Sequence, residues 1–305
     1  MHKLKKHFKT DSWQLYVMCI IPMLFVFVFS YLPMGGIIIA FKNYSYSGGI
    51  MKSPWCGLNN FKFFFESKDF ANITWNTLYL NAIFIVTGIV GAVALGILLY
   101  QLSSRTLTKI FQTMLITPHF LSWVVAAYML YAIINPEFGL MNVMLKSAGR
   151  ETIDFYSMPK AWPLILTLAS LWKTVGMDSV IYYAALMGIP NDLFEAADID
   201  GATRINKIVY VIFPEIKSLV IILSILKIGN IFRADFGLFY QLTQDVGALY
   251  STTDVMDTYI FRTMRVLGNM GMSSAAGLLQ SVVGFVLVII TNAIVSKIDP
   301  ESSLF

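Results

Sequence analysis

A short acidic stretch lies between two long apolar segments of the chain. It reads Asp192-Leu193-Phe194-Glu195-Ala196-Ala197-Asp198-Ile199-Asp200-Gly201-Ala202, and Phe213-Pro214 follow it. Asp192 with Glu195 three residues later has the pattern of a helix N-terminus. Gly201 suits the left-handed residue that ends a helix. The stretch therefore predicts a short helix, a bend at Gly201 and a further helical turn, all within residues 192–207.

The apolar side chains of this stretch predict a docking surface. They are Leu193, Phe194, Ala197 and Ile199. Such side chains are unfavourable on a bare loop, so they suit a groove on another protein. The alternative is a loop that rests on lipid headgroups. The acidic residues of the stretch outnumber Arg204 and Lys207, and anionic lipid repels a segment of that charge.

The composition indicates an integral membrane protein. Hydrophobic residues make up 57% of the 305 residues and charged residues only 13%, which is not the make-up of a soluble domain. A bilayer core of roughly 30 Å requires about 20 helical residues. The stretches that reach this length are 13–41, 78–102, 110–134, 161–187, 208–232 and 275–296. The alternation typical of a transmembrane barrel is absent, so we predict an all-α bundle of six membrane-spanning helices.

The basic residues predict the orientation. Lys3, Lys5, Lys6 and Lys9 precede the first span, and such a cluster favours a cytoplasmic N-terminus. Six spans then place the C-terminus on the same side of the cell membrane. We expect an arm, first helix and outer loop at 1–75, a five-helix core at 76–296 and a cytoplasmic tail at 297–305. The net charge of +4 gives no indication of nucleic-acid binding.

Recognisable catalytic and nucleotide-binding motifs are absent from the sequence. It has no His-Glu-x-x-His, no Gly-x-Ser-x-Gly and no Walker loop. Cys19 falls in the first predicted span and Cys56 in the following loop, so we expect no disulfide between them. We predict no catalytic residues, no metal site and no cofactor in this chain.

Several motifs resemble one family of membrane proteins. Glu195, Ala196, Ala197, Gly201 and Pro214 are in register with the EAA loop of ABC-importer permeases. Segments 57–61 and 76–78 resemble the Gly-Leu-x-Asn-Phe and Asn-Thr-Leu motifs of sugar-importing permeases. Segments 41–44, 53–55 and 257–259 resemble LplB-type permeases of the carbohydrate branch, which handle oligosaccharides released from complex polysaccharides.

The resemblance implies a type I ABC-importer permease. Such a subunit pairs with a second, similar permease, and two separate ATPase subunits bind ATP and Mg. An extracellular solute-binding lipoprotein delivers the oligosaccharide. The expected ATPase-coupling residues of the helix at 192–207 are Asp192, Leu193, Phe194, Glu195, Ala196, Ala197, Asp200 and Gly201.

Charged residues inside the predicted spans indicate a polar path through the bundle. Lys173 lies about 12 residues into the fourth span, near the membrane midplane. An ammonium there faces a cavity or a partner, and functional roles are the default hypothesis. Asp178 is five residues further and points about 140° away, so the two do not pair along one helix. The alternative for Lys173 is a structural pair with the partner subunit, and for Lys227 it is extension to the outer interface.

The sugar-contacting positions of maltose-type importers, counted from the EAA motif, add further candidates. They fall on Thr174, Met177, Lys227, Asn230, Ile231 and Ala234, so that the complete expected pathway comprises these residues with Lys173 and Asp178. The positions match that family, whereas most residue types differ.

Two other functions are considered. A stand-alone secondary carrier or channel is expected to have ion-coupling acids and broken spans, and only Asp178 and Pro118 are of this kind. An intramembrane enzyme needs a catalytic group of residues that the sequence lacks. Finally, Gly88, Ala92 and Gly96 form a stripe of small residues on the second span that requires a closely packed neighbouring helix, which we expect to belong to a partner subunit.

Overall fold

A computed structural model describes residues 13–298, and this part of the chain is helical apart from turns and one bridge between Lys42 and Trp55. The predicted all-α fold is confirmed. The lysines at 3, 5, 6 and 9, which carried the prediction for the N-terminus, lie outside the described residues, as does most of the predicted tail at 297–305.

The described residues form two compact units. Within the described residues, one comprises 13–65 with Thr263–Leu278, and the other comprises Glu66–Arg262 with 279–298. In chain order the helices are α1 (Trp13–Val26), α2 (Gly49–Lys52), α3 (Asn59–Glu66), α4 (Phe70–Tyr100), α5 (Arg105–Ile116), α6 (Trp123–Ile134), α7 (Leu140–Ser147), α8 (Trp162–Leu186), α9 (Asn191–Ile199), α10 (Arg204–Lys207), α11 (Phe213–Gly229), α12 (Phe236–Leu242), α13 (Tyr250–Thr253), α14 (Met256–Arg265) and α15 (Met270–Ile298). Short 3-10 or π segments at Phe27–Tyr31, Leu32–Phe41, Thr117–Phe120, Phe155–Ser157, Pro159–Ala161, Ile208–Ile212 and Gly247–Leu249 connect or extend them.

Five helical segments among the described residues are long and apolar enough to cross a membrane: Leu15–Phe41, Phe70–Tyr100, Pro159–Leu186, Arg204–Gly229 and Met270–Lys297. A sixth span is complete only if Arg105–Phe120 and Trp123–Ile134 are taken together. The chain is therefore a multi-pass membrane protein.

The third predicted span, 110–134, is not one helix. Its two parts are bent by 98°. Pro118 cannot continue the helical hydrogen bonds, and Leu121 and Ser122 adopt extended backbone conformations. The Ser122 hydroxyl then accepts a hydrogen bond from the Val125 amide at 3.3 Å and caps α6. The prediction of a continuous span failed because hydropathy does not detect a local change in backbone direction.

The long helix α4 packs along α8 of the same chain. Ala92 is fully buried, and a Cβ at Gly96 would lie 3.0 Å from the Tyr182 Cβ. The expectation that the small-residue stripe packs on a partner subunit was therefore wrong at these positions. Gly88 has no heavy atom within 4 Å of its would-be Cβ and faces a cavity instead.

The segment between α11 and α15 is folded rather than a loose loop. Leu238, Phe239 and Leu242 of α12 are at most 1% exposed and pack with Leu249 and Val255 in one core. The Asp235 side chain caps α12 by accepting hydrogen bonds from the backbone amides of Gly237 and Leu238. The short helices α12 and α13 therefore form a layer, in which α12 packs on α8 and α13 packs on both α4 and α8.

A charged cluster fixes this layer. The Arg262 guanidinium donates to the Asp254 carboxylate at 2.5 Å and lies 4.2 Å above the Tyr250 ring. Burial raises the pKa of Asp254, while Arg262 and a hydrogen bond from Thr258 partly oppose that rise. The ionised carboxylate is therefore tolerated because a cation is beside it.

We expect Arg262→Met to destabilise the protein by roughly 3 kcal/mol near neutral pH, because it leaves a buried carboxylate without its cation. The deficit should shrink as pH falls. A raised pKa in the folded state means that protonation of Asp254 favours folding, and protonation removes the unpaired charge. Thermal unfolding in detergent at several pH values measures this. The double variant Asp254→Asn with Arg262→Met should recover most of the loss, and no recovery would contradict the pairing argument.

A second close contact sets the position of α5 on α8. A Cβ added to Gly176 would lie 1.9 Å from the Leu115 carbonyl oxygen, which is backbone and cannot turn aside. At Gly91 the nearest atom to such a Cβ is the Val175 Cγ2 at 2.9 Å, a side-chain methyl that can move.

We therefore expect Gly176→Ala to lower stability by about 3 kcal/mol, at the upper end of overpacking costs, or to prevent assembly. Gly91→Ala is the matched control and should cost under about 1.5 kcal/mol. Membrane abundance and thermal unfolding of the two variants compare them. Equal behaviour of the two would contradict the backbone contact.

Candidate functional site

The acidic stretch folds as the sequence predicts at its C-terminal end. Helix α9 ends at Ile199, and Gly201 has a φ of +71°. The Ala202 amide donates to the Ala197 carbonyl at 2.9 Å and the Gly201 amide to the Asp198 carbonyl at 3.0 Å. This is a Schellman ending, which requires a residue in the left-handed conformation. The Thr203 hydroxyl then caps α10.

The N-terminal prediction for α9 was wrong in detail. The helix begins at Asn191 with Pro190 as its first flanking residue, and no side chain caps it. Asp192 thus lies inside the first turn, where its charge interacts favourably with the helix dipole. The start is two residues earlier than a cap at Asp192 would require, since that cap would make Leu193 the first helical residue.

The outward face of α9 is acidic with apolar side chains between the acids. Asp192, Glu195, Ala196 and Asp200 are exposed, Leu193 is 40% exposed and Ile199 is 86% exposed. Asp198 pairs with Lys207 at 2.5 Å. The large apolar side chains that remain exposed on a charged surface are unusual for a bare helix end.

Phe194 departs from the expected docking set. Its ring lies 5.9 Å from that of Tyr100, and it packs against the core that includes Leu186 and Ile212. The side chain therefore anchors α9 to its own chain. Ala197 is half-buried beside the Schellman ending. The outward residues of the predicted set are thus Asp192, Leu193, Glu195, Ala196, Asp200 and Gly201.

The second site is a cavity of about 460 Å³ between α4, α8 and α11, here called the central cavity. Four of the predicted pathway residues line it: Thr174, Asp178, Lys227 and Asn230. Further polar side chains at its wall are Asn81, His119, Ser170 and Arg233. The walls otherwise consist mainly of aliphatic side chains. Within residues 13–298 there is no cluster of three metal-binding side chains.

An ion pair crosses the central cavity. The Lys227 Nζ donates to the Asp178 Oδ2 at 2.6 Å, which joins α11 to α8. The alternative in which Lys227 extends to the outer interface is therefore not the arrangement in this structure. Asp178 does not pair with Lys173, as the angular separation predicted.

Lys173 faces away from the central cavity. Its Nζ donates to the carbonyl oxygens of Pro118, His119 and Leu121, with 2.9 Å to that of His119, and it lies 5.2 Å from the Trp123 ring centroid. The break between α5 and α6 brings these carbonyls within reach of Lys173, and that of Pro118 also accepts from the Leu121 amide at 3.2 Å. Lys173 thus satisfies backbone acceptors within its own chain, so neither the substrate-pathway prediction nor a pair with a partner subunit describes this arrangement.

Met177, Ile231 and Ala234 do not line the central cavity. Met177 is 41% exposed on another face of α8. The Ile231 carbonyl accepts from the Asn81 side-chain amide at 2.7 Å, and the Ala234 amide donates to the Asp257 carboxylate at 2.7 Å. The backbone groups of Ile231 and Ala234 thus hold the segment that follows α11, whereas none of the three side chains is part of the cavity wall.

Sequence reasoning missed the wall residues on other helices. Asn81 is one of few polar residues in the apolar run of α4, and that isolation was an available signal. His119 and Arg233 follow helix ends, and no sequence pattern connects them to the cavity. The packing of α4 and the broken span brings them there.

The comparisons with known proteins agree with this geometry. The family described as binding-protein-dependent transport system inner membrane component matches residues 92–300. Protein LplB of Bacillus subtilis (strain 168) is 33% identical over 293 residues, covering 96% of this chain and 91% of that protein. The polygalacturonan/rhamnogalacturonan transport system permease protein YteP of the same strain is 31% identical over 287 residues, covering 94% and 89%.

A solved structure is similar over almost the full length. A chain from the bacterial alginate ABC transporter in complex with an alginate pentasaccharide-bound periplasmic protein aligns with a TM-score of 0.84 and 30% identity, covering 94% of this chain and 96% of that one. The resemblance seen in the sequence motifs is confirmed. The chain belongs to the family of binding-protein-dependent transport system inner membrane components, which are transport permeases.

Proposed function

We propose that the protein is the permease subunit of an ABC importer that moves oligosaccharides, such as fragments of complex polysaccharides, into the cytoplasm. The relatives that it resembles include one permease named for polygalacturonan/rhamnogalacturonan transport and a chain of an alginate transporter. The chain contributes half of the translocation path, and a second permease contributes the other half. An extracellular solute-binding lipoprotein supplies the sugar.

The observation that carries the proposal is the exposed element made of α9, the Gly201 bend and α10. Its outward acids and the exposed Leu193 and Ile199 need a basic and apolar partner surface. Two ATPase subunits, which hold the ATP and Mg, fit this requirement, and one of them receives the element from this chain. The element then lies in the cytoplasm.

The coupling follows from how α9 is held. Phe194 packs against Tyr100 at one end of α4, and Asp198 pairs with Lys207 at the start of the next span. A displacement of the docked element therefore moves α4 and the 204–229 span together. Closure of the ATPases on ATP turns the bundle as a rigid body and alternates access to the central cavity.

The rival function is a stand-alone secondary carrier. The break at Pro118 favours it, because such carriers bind coupling ions at the freed carbonyls of broken spans. In this chain the ammonium of Lys173 already occupies those carbonyls. The break is therefore a structural feature, and the observations favour an importer subunit over a secondary carrier.

We expect Glu195→Lys to uncouple transport from ATP hydrolysis, because it reverses a charge at the outward face of α9. Substrate-stimulated hydrolysis by the complete importer should fall about tenfold, equivalent to about 1.4 kcal/mol. Glu151→Lys, an exposed charge reversal in the segment before α8, is the control and should leave hydrolysis unchanged. Normal hydrolysis and uptake in Glu195→Lys at normal membrane abundance would remove the coupling role.

Gly201 offers a second test of the same element. A Cβ there meets no atom within 4 Å, so only its φ of +71° opposes substitution. Gly201→Val should disturb the bend by about 1–2 kcal/mol of backbone strain and reduce coupling. Gly201→Asn, which tolerates this conformation, should retain most of it. Equal coupling in the two variants, by ATP hydrolysis in proteoliposomes, would show that the bend is not required.

A further inference from the structure

We propose that the Asp178 carboxylate occupies the position on Lys227 that a carboxylate of the transported oligosaccharide takes during passage. The substrate carboxylate then displaces Asp178 from Lys227. The inference rests on the proposed function and deepens it. It assigns acidic oligosaccharides as the substrate class and names the residues that select them.

The ion pair between Lys227 and Asp178 is accessible from the central cavity. Lys227 and Asp178 are joined at 2.6 Å, yet their side chains remain 36% and 27% exposed, and both line the central cavity. The structural pair of Arg262 with Asp254 is different, since the Asp254 side chain is only 6% exposed. A solute in the central cavity can therefore reach Lys227 and compete for it.

The wall of the central cavity carries more cations than carboxylates. Among the described residues that line the central cavity, Asp178 is the single carboxylate, while Lys227 and Arg233 are cations. Asp178 neutralises Lys227 in this structure. The Arg233 guanidinium makes a long hydrogen bond of 3.4 Å to the Ser281 hydroxyl, and it also interacts electrostatically with the Asp257 carboxylate, which does not line the cavity. The side chains that line the cavity thus include two cations and one carboxylate, a balance that favours an anionic solute.

Tyr182 offers Asp178 an alternative hydrogen-bond donor. Tyr182 follows it by four residues on α8 and so lies on the same face of the helix. Its ring is 2% exposed, it borders the central cavity, and its hydroxyl has no hydrogen-bond partner. A buried hydroxyl without a partner is unfavourable. When a substrate carboxylate takes Lys227, the Tyr182 hydroxyl can donate to Asp178, so the exchange leaves both carboxylates with a donor.

Selectivity follows from this exchange. A carboxylate forms a charge-assisted hydrogen bond to an ammonium, whereas a sugar hydroxyl forms a weaker neutral one. Only a substrate carboxylate can therefore replace Asp178 as a charged hydrogen-bond acceptor for Lys227. A neutral oligosaccharide of the same shape leaves the ion pair in place and is transported less efficiently.

The test uses the complete importer in proteoliposomes with ATP and two labelled probes. One is a galacturonate trimer, and the other is the same trimer with its carboxyl groups reduced to primary alcohols. The quantity compared is the ratio of kcat/KM for the acidic probe to that for the reduced probe. The solute-binding protein is unchanged throughout, so its own preference cancels between variants.

We expect Lys227→Gln to lower this ratio about tenfold, since it removes the ammonium that binds the carboxylate. Asp178→Asn should raise the ratio about threefold, because the competing anion is gone. Tyr182→Phe should lower it, because the displaced Asp178 then has no donor. Lys173→Met is the matched lysine control, and it should alter uptake of both probes by the same factor.

Two outcomes overturn the inference while leaving the import function intact. One is equal uptake of both probes by the wild-type importer. The other is the result expected of a purely structural ion pair. In that case Asp178→Asn and Lys227→Gln each reduce uptake of the two probes by the same factor, and the double variant restores uptake of both. Membrane abundance of each variant, with Asp178→Glu as a conservative substitute, separates folding losses from selectivity. Absence of ATP-dependent uptake of either probe would overturn the proposed function and this inference together.

Discussion

The demand that every backbone polar group within a membrane be satisfied determines the centre of this molecule. The broken span between α5 and α6 places carbonyl oxygens outside regular helical hydrogen bonding, and within a bilayer such groups need another donor. Lys173 of α8 donates to three of these oxygens. Its charge is tolerated there because the freed carbonyls replace its hydration. The break and the lysine are therefore mutually dependent.

This arrangement divides α8 into faces with separate roles. One face carries Lys173 toward the break, and Gly176 allows the α5 backbone to approach the same helix closely. The face with Thr174 and Asp178 borders the central cavity. Two charges five residues apart thus have unrelated partners, since the helical period turns them about 140° from each other. The lysine relevant to a solute is Lys227, which α11 contributes.

The sequence was informative wherever a property is local. Hydropathy located the spans because burial in lipid requires long apolar runs, and Gly201 was identified because a Schellman ending demands a left-handed residue. The bend at Pro118, the inward turn of Phe194 and the carbonyl partners of Lys173 were not predicted. Each depends on which helix packs nearby, and a residue pattern along one helix carries no such information.

The pathway residues show the same limit at finer scale. Thr174 and Asp178 are four residues apart and Lys227 and Asn230 are three apart, so each pair shares a helix face, and both pairs line the central cavity. Met177 is off that face of α8. Ile231 and Ala234 follow the end of α11 at Gly229, and their side chains do not line the cavity, although those of Asn230 and Arg233 in the same segment do. Within α8, positions counted from a family motif line the cavity only where they share the face of Thr174 and Asp178, and residues from α4 and from the segments after α5 and α11 complete the wall that a passing solute meets.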